Sequence, residues 1–227
     1  MARLAVLYED NHCLAVVKPA GMLTMGDVTG DRSLVDEAAD YLRDKYQKPG
    51  NVFVGIVHRL DRPVSGVVLF ARTSKAAGRL AEQFRSGSVE KIYHALVEGD
   101  VPDKGELIDW LLKDPETNTV RVVRGPVQSA DADRSPARHS VLTFRCLERQ
   151  HRRALLEVRP VTGRSHQIRV QLAHAGFPIL GDGKYGSKVP VEGCICLHAH
   201  QLIVDHPVRH EPLVLTAPRA KRSWPEL

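Results

Sequence analysis

Residues 52–71 read Val-Phe-Val-Gly-Ile-Val-His-Arg-Leu-Asp-Arg-Pro-Val-Ser-Gly-Val-Val-Leu-Phe-Ala. Two apolar runs, 52–57 and 67–71, flank the dense polar stretch 58–66. Short apolar runs bounded by turn residues predict buried strands. The polar stretch between them has the length of a hairpin connection. Long strands, few helices and hairpin-length connections recur through the chain. That mix predicts an α+β fold rather than a doubly wound sheet. We expect a mixed, mostly antiparallel central sheet flanked by a few helices and loops.

Working outward, 4–8 and 13–17 read as strands joined by a polar turn. A helix is expected over 33–47, with Ser33 as cap and Asp36 as an acidic partner in its first turn. Val35, Ala38, Leu42 and Tyr46 fall near one face, and Pro49-Gly50 ends the helix. Ser74 opens a second helix with Ala77, Leu80, Ala81 and Phe84 inward, stopped by Ser86-Gly87. A strand follows at 89–98. Residues 100–140 have the weakest periodicity and read as a short strand or two plus an exposed loop near 125–138. Strands are expected at 140–147, 154–159, 194–204 and 212–216, and a helix at 165–175. No repeat or low-complexity linker divides the chain, so 1–227 is expected to be one domain.

Composition narrows the class. The chain has 227 residues, and 32 Lys and Arg against 27 Asp and Glu give a net charge of +5. With 43% hydrophobic and 26% charged residues, collagen-like, disordered and disulfide-scaffold classes are excluded. Only 5% of residues are aromatic, which argues against a row of rings stacking on single-stranded bases. The positive charge admits a polyanion partner without requiring one. Four cysteines are too few for a disulfide framework. The Cys194-x-Cys196 pair lacks the spacing of a structural zinc site. Glu9 and Asp10 fall where a signal peptide would be apolar. No run approaches the ~18 apolar residues of a membrane span. A cytoplasmic protein, with no membrane partner, is expected.

Several familiar motifs fail on context. Gly181-Asp182-Gly183-Lys184-Tyr185-Gly186 matches G-x-G-x-x-G, but the Ser-Lys-Val-Pro-Val that follows will not make the helix a dinucleotide site needs. Asp182 stands where a phosphate loop needs Lys. Ser65 lacks the preceding Gly of a nucleophile elbow. His198, His200, His206 and His210 resemble a metal cluster, and a strand would put His198 and His200 on one face. No carboxylate or thiol pattern accompanies them at zinc spacing.

Three segments concentrate chemistry. In 57–66 a lone carboxylate, Asp61, lies between Arg59 and Arg62 beside buried strands. Positive charge favours the ionised form of a carboxylate. An ionised Asp in a protected turn can serve as nucleophile or base, or simply pin a loop. In 91–97 a strand puts Lys91, Tyr93 and Ala95 on one face. In 162–170 a strand-to-helix turn gathers Thr162, Arg164, Ser165, His166 and Gln167. Ser165 can cap the helix there, leaving its first N–H groups for an anion. Arg169 lies about one turn in.

In order and spacing, these segments resemble the signature of the RluA-type pseudouridine synthases. The first is similar to that family's H-R-L-D-x-x-T-S-G, the second to K-x-Y-x-A-L-V, the third to T-G-R-x-H-Q-I-R-V-H-L-A. Lys18-Pro19-x-Gly21 and Leu197-His198-Ala199 match its early and late motifs, so the resemblance runs from about residue 5 to 218. It implies a cofactor-free, metal-free isomerase acting on structured RNA, ribosomal or transfer, with no DNA partner. It implies Asp61 as nucleophile, attacking the uridine at C1′ or C6. It also implies Arg169 paired with Asp61, Tyr93 against the uracil, and Arg59 filling the stack left by the flipped nucleotide. Arg62, Arg164 and His166 would bind substrate. Further RNA donors would be Arg152, Arg153, Arg219, Lys221 and Arg222. Two positions depart from the pattern: Val64 replaces Thr, behind Pro63, and Gln171 replaces His. They motivate a rival reading, a catalytically silent RNA-binding or ribosome-assembly factor. A metal-dependent hydrolase built on the histidines is a third. The size suggests a monomer, and no S4 domain is expected ahead of residue 5.

Overall fold

The structure, a computed structural model, describes residues 4–126, 136–219 and 224–225. It divides into two compact units, Met1–Lys91 with His198–Arg219 and Ile92–Leu197 with Ala220–Leu227.

The first unit is built on strands β1 (Val6–Glu9), β2 (Cys13–Lys18), β3 (Gly55–Ile56), β4 (Ser65–Ala71), β10 (Leu197–Asp205) and β11 (Pro212–Thr216). β2 and β4 pair antiparallel along their length, from Cys13↔Ala71 to Lys18↔Gly66. β1 joins β2 and β11 joins β10, both antiparallel. β10 pairs parallel with the start of β4, His198 opposite Ser65, so the sheet is mixed. Helices α1 (Leu34–Lys45) and α2 (Ser74–Ser86) belong to this unit. The Asp36 carboxylate accepts both the N–H and the hydroxyl of Ser33, which fixes the start of α1. Thr73 caps α2 by accepting the Ala76 N–H, and Gly87 ends it at φ 78°. Ala76 and Leu80 pack with Cys13, Ala15, Val67 and Leu69 in the core.

One expectation fails here. The run 52–57 forms only the two-residue β3, and Phe53 is 51% exposed. β2 occupies one edge of β4. The other edge is shared by β10 at Ser65 and Gly66 and by β3 at Phe70 and Ala71. In this antiparallel register 52–54 fall opposite 72–74, past the end of β4 at Ala71, so they have no strand to pair with.

The second unit is an antiparallel sheet of β5 (Glu90–Glu98), β9 (Arg153–Pro160), β8 (Arg138–Gln150), β6 (Lys104–Asp114) and β7 (Thr119–Val123), in that order. Helix α3 (Gln167–His174) carries buried Ile168, Val170 and Leu172. Val170 packs on Leu111 and Val120. β6 is longer than its weak periodicity suggests, because much of its length alternates between exposed and part-buried positions. The expected loop near 125–138 lies largely outside the described residues. The α+β class and the mostly antiparallel, mixed sheet are as expected.

Candidate active site

In the first unit, residues 58–66 run over a base that the sequence only hinted at. Lys18 is fully buried. Its Nζ donates to the carbonyls of Pro19 (3.0 Å), Met22 (2.7 Å) and Arg62 (3.1 Å). Burial pushes its pKa down to about 7 against the pull of the Asp61 carboxylate. The Thr24 hydroxyl donates to the Leu60 carbonyl (2.9 Å) and accepts the Leu60 N–H (3.1 Å). Gly21, at φ 84°, exchanges main-chain and side-chain contacts with Arg62. Asp61 is thus flanked by residues bonded to 18–24, Leu60 before it to Thr24 and Arg62 after it to Lys18 and Gly21. After Asp61, the Val64 N–H returns to the Asp61 carbonyl (3.0 Å) and closes a turn. Asp61 itself is half-buried.

His58 is structural. Its ring stacks on Phe84 with centroids 4.8 Å apart, and its Nε2 accepts the Leu69 N–H at 2.9 Å. Desolvation, reinforced by Lys91, pushes its pKa down to about 4, so it is neutral. Arg59 is exposed, its guanidinium 3.8 Å from the Met25 sulfur. Arg62 pairs with Asp31 at 2.9 Å, both half-exposed.

The Ser-Gly that closes the motif is explained by β10. The Ser65 hydroxyl meets His198 Nδ1 at 2.8 Å. A Cβ on Gly66, at φ 126°, would lie 2.2 Å from the Ala199 carbonyl oxygen, so only glycine allows this approach. The H-R-L-D…S-G and L-H-A motifs interlock here.

In the second unit, Tyr93 sits on β5 opposite Val158 and is half-buried. The start of α3 differs from expectation. Ser165 does not cap it. His166 holds the N-cap position in the left-handed conformation (φ 52°) without a side-chain cap bond. Gln167 organises the turn instead. Its Oε1 accepts the Thr162 hydroxyl (2.7 Å) and the Arg164 N–H (3.0 Å), and its Nε2 donates to the Val141 carbonyl (3.0 Å). A carboxamide does both jobs because it donates and accepts at once. Arg164 is exposed.

Arg169 is buried and forms a bidentate pair with Asp182, at 2.7 Å (Nε–Oδ2) and 2.9 Å (Nη2–Oδ1). Its guanidinium lies 5.0 Å from the Tyr185 ring centroid. The Tyr185 hydroxyl accepts the Val120 N–H (3.0 Å) and bonds His166 Nδ1 (2.7 Å). Asp182 and Tyr185 were visible in sequence as part of a failed G-x-G-x-x-G. Their roles as partner and platform for Arg169 were not. Gln171, a departure from the family pattern, is buried and donates to the Leu107 carbonyl (3.2 Å) and the Asp109 carboxylate (2.8 Å).

The histidines are engaged with protein atoms. His198 Nε2 and His200 Nδ1 face the Ala217 carbonyl at 3.2 and 3.1 Å. Asp10, Cys13 and His206 bring ligand atoms within 4.8 Å of one another. However, His206 Nδ1 accepts the Val208 and Arg209 N–H groups, so Nε2 carries the proton it gives to Asp10. That nitrogen has no lone pair for a cation. Burial pushes the Cys13 thiol up to about 12. Among the proposed RNA donors, Arg152 and Arg219 are exposed and Arg153 half-buried, while Lys221 and Arg222 lie outside the described residues.

Comparison with known proteins gives this geometry its class. The RNA pseudouridylate synthase family matches residues 12–174. The chain belongs to that family. It is 34% identical over 94% of its length to a tRNA pseudouridine synthase C of Pectobacterium carotovorum. It is 32% identical over 96% of its length to a ribosomal large subunit pseudouridine synthase C of Vibrio vulnificus. It spans 58% of the first relative and 66% of the second. The fold resembles that of human RNA pseudouridylate synthase domain containing 4, with a TM-score of 0.79, 24% identity, and coverage of 96% of this chain and 89% of that one. No helix among the described residues is long and apolar enough to cross a membrane.

Proposed function

We propose that this chain isomerises uridines in structured RNA, transfer or ribosomal, to pseudouridine without a cofactor, with Asp61 as nucleophile. The observation that carries this reading is the turn at Asp61. Leu60 before Asp61 is bonded to Thr24, Arg62 after it to Lys18, and the turn's end is closed by Val64. A carboxylate so held can be aimed at one atom of a bound nucleotide.

A glycosidic bond inside a base stack is out of reach, so the uridine is first extruded, at a cost of about a few kcal/mol. Exposed Arg59 fills the vacated stack with its planar cation. Asp61 attacks at C1′ or C6. The C1′–N1 bond breaks and the base rotates; C5 bonds to C1′, the bond to Asp61 breaks and frees its carboxylate, the C5 proton departs and N1 takes up a proton. The resemblance gives Arg169, here held by Asp182, the role of partner to Asp61. Tyr93 lies against the uracil and assists proton removal at C5. Arg62, Arg164 and His166 contact the RNA. Residues 1–227 act as one catalytic domain, as a cytoplasmic monomer, and DNA is not a substrate.

The departures at 64 and 171 do not favour a silent RNA-binding protein. Val64 is buried and its N–H still closes the turn. Gln171 still bonds α3 to β6. Release of tritium from RNA labelled at uridine C5 tests the reading. Asp61→Asn should abolish release while RNA binding persists. Release by that variant at the wild-type rate would overturn the assignment.

A further inference from the structure

We propose that His198 is a positioning residue for Asp61, acting through the Ser65 hydroxyl. This rests on the reading of Asp61 as nucleophile. The Ala217 carbonyl oxygen can only accept, so His198 Nε2, 3.2 Å away, carries the ring proton. His198 Nδ1 therefore presents a lone pair, and the Ser65 hydroxyl donates to it at 2.8 Å. His200 Nδ1 donates to the same carbonyl at 3.1 Å, so Ala217 orients both rings.

Ser65 follows directly on Val64, whose N–H closes the turn on the Asp61 carbonyl. The other side of the turn is fixed by the two-way Thr24–Leu60 bond. Asp61, Arg62 and Pro63 lie between these two anchors, with the Arg62 carbonyl also held by Lys18 and Gly21, and the Ser65–His198 bond is the side-chain part of the second. His198 is 2% exposed and burial lowers its pKa, in keeping with a neutral ring. The main-chain pairing of β4 with β10 survives loss of this bond. Its removal should therefore loosen the turn without unfolding the unit. Misplacement of a catalytic group by about 1 Å can lower a rate roughly 100-fold.

Four variants test it: Ser65→Ala, Ser65→Thr, His198→Leu, and the double Ser65→Ala/His198→Leu. Single-turnover pseudouridine formation, RNA affinity and thermal stability are measured on each. Ser65→Ala and His198→Leu should each slow the chemical step roughly 10- to 100-fold while RNA affinity stays at the wild-type value. The double variant should be no slower than the slower single, because both remove one interaction. Ser65→Thr, which keeps the hydroxyl, should recover most of the rate. If His198→Leu fails to fold, the Ala and Thr variants at Ser65 decide the matter alone. The proposal is overturned by wild-type rates in Ser65→Ala, by multiplying losses in the double variant, or by losses that merely follow RNA affinity. A wild-type protein that forms no pseudouridine overturns the reading of Asp61 itself, a separately visible result.

Discussion

Arg169 is a buried cation, and Asp182 is the carboxylate that makes its burial tolerable. Their side chains are 6% and 1% exposed. Removing one partner of a buried pair strands the other charge, at a cost of about 3–5 kcal/mol. Asp182→Ala should therefore lower unfolding free energy by that order in a denaturant titration, even though Asp182 belongs to none of the three motifs. Arg169 itself was legible in sequence, because it sits in a dense polar motif. Its partner was not, since 13 residues and a reversal of the chain separate the two. Gln167 was likewise named without a role. Only the turn's geometry shows that its carboxamide ties Thr162, Arg164 and Val141 together ahead of α3. The left-handed backbone of His166 belongs to the same turn, a conformation that costs a non-glycine residue about 1–3 kcal/mol and persists where surroundings over-determine it.

At the scale of elements, the starts of α1 and α2 were readable because capping is local chemistry, whereas that of α3 was not. Thr73→Ala should destabilise α2 by about 1 kcal/mol, seen as a lower Tm, because the Ala76 N–H loses its acceptor. Strand pairing was readable only in part. Gly66→Ala should be far worse than its size suggests, because its Cβ would meet the Ala199 carbonyl at 2.2 Å in backbone that disfavours any side chain. Loss of soluble protein on expression would register this.

Between β8 and β9, Glu157 lies opposite Arg145 and bonds both Arg145 and Arg159. The Arg145 contact, chiefly, holds its carboxyl down at about 2. A carboxylate whose folded pKa is depressed stabilises the fold above its ordinary value near 4.5, and that contribution is lost as pH falls toward 2. The acid limb of the stability–pH curve should steepen in this window. Glu157→Gln should flatten it.

For the whole molecule, net charge was a weak guide and placement a better one. The excess is 32 − 27 = +5. Much of the cationic charge is committed within the fold, as with Lys18, Arg62, Arg145 and Arg169. The remaining exposed cations should still make RNA binding salt-dependent. Log affinity should fall linearly with log salt, with a slope that shrinks by about 0.7–0.9 for each phosphate-contacting residue removed. Arg59→Ala and Arg164→Ala titrations measure that slope.

By itself, the sequence determined the periodicities, the starts of α1 and α2 and the order of the motifs. These depend on neighbours a few residues away, and with them came the α+β class and the family. Tertiary structure alone decided where β3 starts, because in its register β4 ends opposite Gly55. It alone decided that His58 and Lys18 are braces, that Asp182 and Tyr185 hold Arg169, and that Ser65 leans on His198. Each of these is a contact between segments distant along the chain, fixed by which edge or face is left open once the sheet has formed.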